Sequence, residues 1–218
     1  MNFLQKITLL LLFCAAAWSL QAQVAVKAGV NFANMQFEEA DNSVEDLARN
    51  GAVKLTAGLA FILPLSDNVA LQPELLFTQK GSETTYRILG SEVTNKLTYN
   101  YLDIPLLLRL SLGDTHGEGL GFYLNGGGYV GYAFNGKSET NTLGVTTERD
   151  LTFDDEDRQA RIDYGWALGA GLTLGNVFFD ARYSRGINNL LDGDADNDND
   201  AFKTLQHRGL AVTAGIIF

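Results

Sequence analysis

The chain has 218 residues and a formal net charge of −10. That acidity argues against nucleic acid as a partner and against a basic face docking on anionic lipid. With 23 glycines, 3 prolines and 11% aromatics, and no apolar run after the leader long enough for a membrane helix, the composition is that of an all-β chain.

The first element in chain order is a leader. MNFLQKITLLLLFCAAAWSLQAQ predicts a signal peptide over residues 1–22. Lys6 supplies the positive n-region, and an apolar run follows from Ile7 to Ala17. Leu20-Gln21-Ala22 places a small residue before the cut. The run is short for a spanning helix of about 20 residues. Cys14, the one cysteine, sits inside it behind the bulky Phe13, which removes the lipoprotein reading. The remaining domain, 23–218, then has no disulfide, thiolate metal site or cysteine nucleophile.

Eight stretches alternate with period two, the spacing that sends successive side chains to opposite faces of a sheet. Val24 to Phe32 sets Val24, Val26, Val30 and Phe32 against Lys27 and Asn31. Val53 to Leu63 sets Val53, Leu55, Leu59 and Phe61 against Lys54 and Thr56. Val69 to Thr78 sets Leu71, Leu75 and Phe77 against Gln72 and Glu74. Leu97 to Leu110 sets Leu102, Ile104, Leu106 and Leu108 against Asp103 and Arg109. Gly121 to Phe134 is the fifth. The sixth sets Ile162, Tyr164, Trp166 and Leu168 against Asp163 and Gly169. The seventh sets Val177, Phe179 and Tyr183 against Asp180 and Arg182. Leu205 to Phe218 sets Leu210, Val212 and Ile216 against Thr213 and Gly215.

One face carries no charge; the other carries the charges together with Gly, Ala, Ser and Thr. The small residues suit the filling of a narrow lumen and make a poor water-facing surface. The links alternate in length. Ala33 to Gly51, Lys80 to Asn95, Asn135 to Gln159 and Gly186 to Lys203 are long, whereas Pro64 to Asn68 and Gly175-Asn176 are tight and Ser111 to Leu120 is shorter. Long loops on one side and short turns on the other is the build of an outer-membrane barrel, with strands of roughly 9 to 11 residues per span. Tyr99, Tyr101, Tyr132, Phe134, Tyr164, Trp166 and Tyr183 lie towards strand ends, where a lipid-boundary girdle would sit. The expected fold is an eight-stranded antiparallel up-and-down transmembrane β-barrel, monomeric, with its apolar face on outer-membrane lipid.

The stretches VAVKAGVNFA, QPELLFTQKG, YLDIPLLLRL and GLAVTAGIIF resemble the PorT-like outer-membrane β-barrel domain family. The resemblance implies a small porin-like or assembly-related membrane protein. The ending resembles the aromatic signal that such barrels present to the barrel-assembly machinery, which makes Phe218 the candidate assembly signal.

Alternation places Lys27, Lys54, Glu74, Asp103, Arg109, Asp163, Asp180 and Arg182 in the lumen, where opposite charges should pair. In the last long loop Asp192, Asp194, Asp196, Asp198 and Asp200 alternate, an oxygen-rich set of the kind that suits Ca²⁺. Gly193 is misplaced for an EF-hand loop, and a solvated acidic segment is the competing reading. His207 falls on the lumen side and His116 in a short turn; neither belongs to a recognisable catalytic motif, so no enzyme activity is expected. The favoured role is a structural or binding barrel with acidic outer loops. The alternatives are a porin-like passive pore and a soluble lipocalin-like periplasmic carrier.

Overall fold

Each of the eight alternating runs forms a strand. The computed structural model describes residues 22–39, 49–88, 91–113, 119–151, 160–190 and 202–218. The leader up to Gln21, His116 and the run Asp192 to Asp200 lie outside the described residues. The strands are β1 (Gln23–Glu39), β2 (Arg49–Asn50), β3 (Ala52–Pro64), β4 (Val69–Ile88), β5 (Ser91–Gly113), β6 (Leu120–Thr142), β7 (Val145–Leu151), β8 (Ile162–Leu174), β9 (Val177–Gly186) and β10 (Phe202–Ile217).

Long strands pair antiparallel with their neighbours in the order β1, β3, β4, β5, β6, β8, β9, β10. The ring closes where β10 returns to β1, from Ala25 opposite Ile217 to Glu39 opposite Phe202. The amide of Phe218 adds a last rung to the carbonyl of Val24. Closure gives every long strand a neighbour on both sides, as hydrocarbon demands of backbone polar groups. Two short strands are accessory: β2 continues the line of β3 along β4, and β7 folds back on β6.

The greasy side points outward. Leu59 is 37% exposed, Leu106 54%, Leu168 59% and Val212 44%, whereas Asp103 is 7% exposed and Arg182 6%. A carrier would have the reverse arrangement, so the soluble alternative is set aside. The inner face is filled by side chains. Ala25, Ala60, Ile62, Ala70, Tyr123, Phe178 and Ile217 form an apolar cluster at the short-turn end. Glycines make room for the larger members: a Cβ on Gly171 would stand 2.2 Å from Cζ of Tyr123.

Two expectations need correction. The links Lys80 to Asn95 and Asn135 to Gln159 are not open loops over most of their length. β4, β5 and β6 run for 20, 23 and 23 residues, against 13 and 10 in β8 and β9. β4 and β5 stay paired to Ile88 opposite Ser91, and β6 turns at Leu143-Gly144 into β7. Because a span takes only about 9 to 11 residues, this side of the barrel continues above the apolar belt as a four-stranded polar sheet. Its outward positions are Gln79, Asn100, Asn135 and their successors, so the apolar signal stops while the backbone pairing goes on.

The second correction concerns Tyr99 and Tyr101, which were expected at the lipid boundary. Both are buried inside. They share the parity of Asp103, and parity decides the face of a strand whatever the side chain prefers. Tyr132, Phe134, Tyr164, Trp166 and Tyr183 do face outward.

Candidate functional site

The lumen holds two layers of paired charge. In the layer nearer the short turns, Glu74 of β4 accepts hydrogen bonds from Nη1 and Nη2 of Arg182 on β9, at 2.6 and 2.9 Å. Lys27 of β1 lies 3.6 Å from the same carboxylate and 3.4 Å from Asp180. Asp180 also accepts from Oη of Tyr123 at 3.2 Å and Nδ2 of Asn125 at 2.9 Å, and Gln72 donates to Glu74 at 2.5 Å. Two-point guanidinium–carboxylate contact is the strongest form of this pairing. Each carboxylate receives several donors, which is what makes burial of its charge tolerable.

Arg109 of β5 sits at the edge of this layer. Its Nε donates to Oγ of Ser111 at 3.3 Å and its Nη1 to Oε1 of Gln72 at 3.4 Å. The guanidinium lies over the ring of Tyr123, 3.7 Å from the centroid.

The upper layer is centred on Lys80 of β4. Its Nζ donates to Asp103 of β5 at 2.9 Å and to Asp163 of β8 at 2.8 Å. It also stands over the rings of Tyr101 and Tyr129, 4.4 and 4.7 Å from their centroids. Tyr129 Oη donates to Asp163 at 3.1 Å. Tyr101 Oη lies 3.3 Å from Nε2 of the buried His207, whose lumen position the alternation had placed correctly. Between the layers is a cavity of about 50 Å³, lined among others by Lys27, Asp180, Lys80 and Asp103, room for a few waters at most.

Lys54 belongs to neither layer. It is half-buried near the outer rim, and its nitrogen donates to Oγ1 of Thr98. There the β3–β4 ladder is interrupted between Thr56 opposite Thr78 and Asn50 opposite Glu83. Asn31 Nδ2 bridges to the carbonyl of Gln79 at 2.9 Å across the same gap. Of the eight expected lumen charges, six therefore meet in ion pairs, while Arg109 and Lys54 stand outside them. Lys80 is the member that sequence reasoning missed. Its even parity with Gln72, Glu74 and Thr78 pointed inward, but it fell in a stretch read as a loop. Tyr101, Tyr123 and Tyr129 were missed as lumen hydrogen-bonding and π partners.

Outside the belt, the polar sheet is cross-linked on both faces. Gln79 donates to Asn100 at 3.0 Å, Asn100 reaches Asn135, Thr140 donates to Asn95 at 3.1 Å and Asn141 donates to Thr146 at 2.9 Å. Exposed ion pairs join Lys96 to Glu83 and Lys137 to Glu148. Among the described residues no group of three or more His, Cys, Asp or Glu is arranged to hold a metal ion.

The family model described as outer membrane protein beta-barrel domain matches residues 16–192. Solved structures similar to this chain include Ail, the attachment invasion locus protein of Yersinia pestis, at 13% identity, 90% of this chain, 99% of that one and a TM-score of 0.40. Neisserial surface protein A matches at 12% identity over 90% of this chain and 97% of that one, TM-score 0.39. OprG from Pseudomonas aeruginosa matches at 10% identity, covering 90% and 95%, TM-score 0.40. No curated protein sequence matches the chain.

Proposed function

We propose, for a chain that belongs to the outer membrane protein beta-barrel domain family and is an outer-membrane β-barrel protein, that it serves as a closed barrel presenting a binding surface outside the cell. The observation that carries this reading is the lumen itself. Charged side chains from β1, β4 and β9 interlock in one layer and from β4, β5 and β8 in the next. A permeating ion would have to break buried, multiply bonded pairs, each of which costs several kcal/mol to disrupt (~3–5 for one buried partner removed).

The surface that remains for interaction is the polar sheet of β4, β5, β6 and β7, whose Thr, Asn, Lys and Glu side chains rise beyond the lipid. Within the family, the four quoted stretches favour the PorT-like branch. Phe218, 74% exposed beyond the end of β10, is offered as the residue that the assembly machinery reads.

The test is conductance of the purified, refolded barrel in a planar bilayer. A silent bilayer is expected. Discrete single-channel steps would establish the porin-like alternative and overturn this reading.

A further inference from the structure

At the short-turn end, which is periplasmic in barrels of this build, the lumen opens into a vestibule of about 450 Å³. We propose that this vestibule binds a small, singly charged organic oxyanion, with Arg109 reading the charge and Ile62, Ala70 and Ile217 contacting its apolar body.

Arg109 is the exception among the deeply buried lumen cations. Lys27, Lys80 and Arg182 each lie within ion-pair distance of two carboxylates. Arg109 is equally buried, at 7% exposure, yet no carboxylate among the described residues pairs with it. Among the described residues its hydrogen bonds are two long contacts, to Ser111 and Gln72, both neutral acceptors. Nη2 makes no hydrogen bond to a described residue. A buried guanidinium with no carboxylate bonded to it is costly, and its planar fork is shaped to take an oxyanion through two parallel N–H donors.

The group is also held still. Tyr123 stacks under it, and that ring is pinned by its own hydrogen bond to Asp180. The carboxylates beyond, Glu74 and Asp180, act on Arg109 through space but are bonded to Lys27 and Arg182, so neither occupies its fork.

The surroundings define the ligand. Arg109 lines the vestibule, where Ile62, Ala70 and Ile217 supply apolar wall and Thr173 and Asn176 supply polar rim. The volume falls in the range of small-molecule sites, about 300 to 1,000 Å³. Asp67 lines the same space and sets a negative charge near the opening, which disfavours multiply charged anions. An aromatic or branched aliphatic carboxylate fits; a compact dianion does not.

The probe is benzoate, with benzamide as its uncharged isostere, titrated into the full chain refolded in an uncharged detergent. Backbone amide resonances of Ser111, Thr173 and Asn176 are followed by NMR. Saturable shifts with benzoate and none with benzamide are expected in the wild type. Arg109→Lys keeps the charge and loses the fork, so binding weakens by roughly tenfold; Arg109→Met abolishes it, consistent with the worth of a charge-assisted hydrogen bond. A heat-modifiable gel band confirms that each variant is folded. The proposal fails if the wild type shows no benzoate shifts, if benzamide gives the same shifts, or if folded Arg109→Met binds unchanged. Should Arg109→Met not fold, the wild-type comparison of the two probes decides alone.

Discussion

Glu74 shows what a single residue does in this lumen. It is buried between Arg182 and Lys27 with Gln72 donating to it, so its charge is distributed over three donors from three positions on the wall. Glu74→Gln leaves Arg182 and Lys27 facing each other with only Asp180 between them. A loss of about 3 to 5 kcal/mol is expected from breaking a buried pair on one side, read from urea titration of the folded fraction in lipid vesicles. The double change Glu74→Gln with Arg182→Met should recover much of that loss, because removing both charges removes the desolvation cost with the attraction. Gly171 makes a complementary case. A methyl there overlaps Tyr123, so Gly171→Ala is expected to cost about 1 to 3 kcal/mol through overpacking, in the same titration. At this scale the alternation identified the inward charges one by one. It did not identify Lys80, because the pattern that carries parity had dissolved into polar residues by position 79.

The element that sequence reading understated is the sheet above the membrane. Hairpin turns are most legible when Asn-Gly or Asp-Gly sits between alternating apolar residues. Here the β6–β7 turn is Leu143-Gly144, both with positive φ, 54° and 83°, and positive φ is uncommon at Leu. The Asn141 side chain accepts from the amide of Gly144 at 3.3 Å and helps hold that turn. Neither the residue type nor any apolar alternation marked the hairpin. Its location gives a clear test. Thr146→Cys should react with a membrane-impermeant maleimide on intact cells, and Leu106→Cys, in the lipid-facing belt, should not. Equal labelling at both positions would mean that the belt has been placed wrongly.

For the molecule as a whole, the outward apolar surface is the dominant fact. Leu168 lies midway along β8 and faces outward. Leu168→Arg should destabilise the barrel in bilayers by about 2 to 4 kcal/mol, as expected for a basic side chain near the midplane, with folding measured against vesicles of defined thickness. Thr147→Arg, on the exposed β7 strand, should leave stability unchanged within about 0.5 kcal/mol, the usual range for surface substitutions. Together with a silent bilayer, these outcomes describe a barrel stabilised by lipid outside and by ion pairs inside.

The amino-acid sequence by itself determined which side of every spanning strand meets hydrocarbon. Period two is a local property, readable from neighbours two positions apart, and it held in all eight runs. Strand order followed too, since consecutive antiparallel hairpins leave one simple way to close. Only the tertiary structure decided which lumen groups meet. Lys27 and Asp180 are 153 residues apart, Arg182 and Glu74 108, and Lys80 and Asp163 83. Their pairing depends on the stagger accumulated around the closed ring, and no local pattern records that sum. The same stagger leaves Arg109 beside the vestibule with no carboxylate among the described residues paired to it, and sets Lys54 against Thr98.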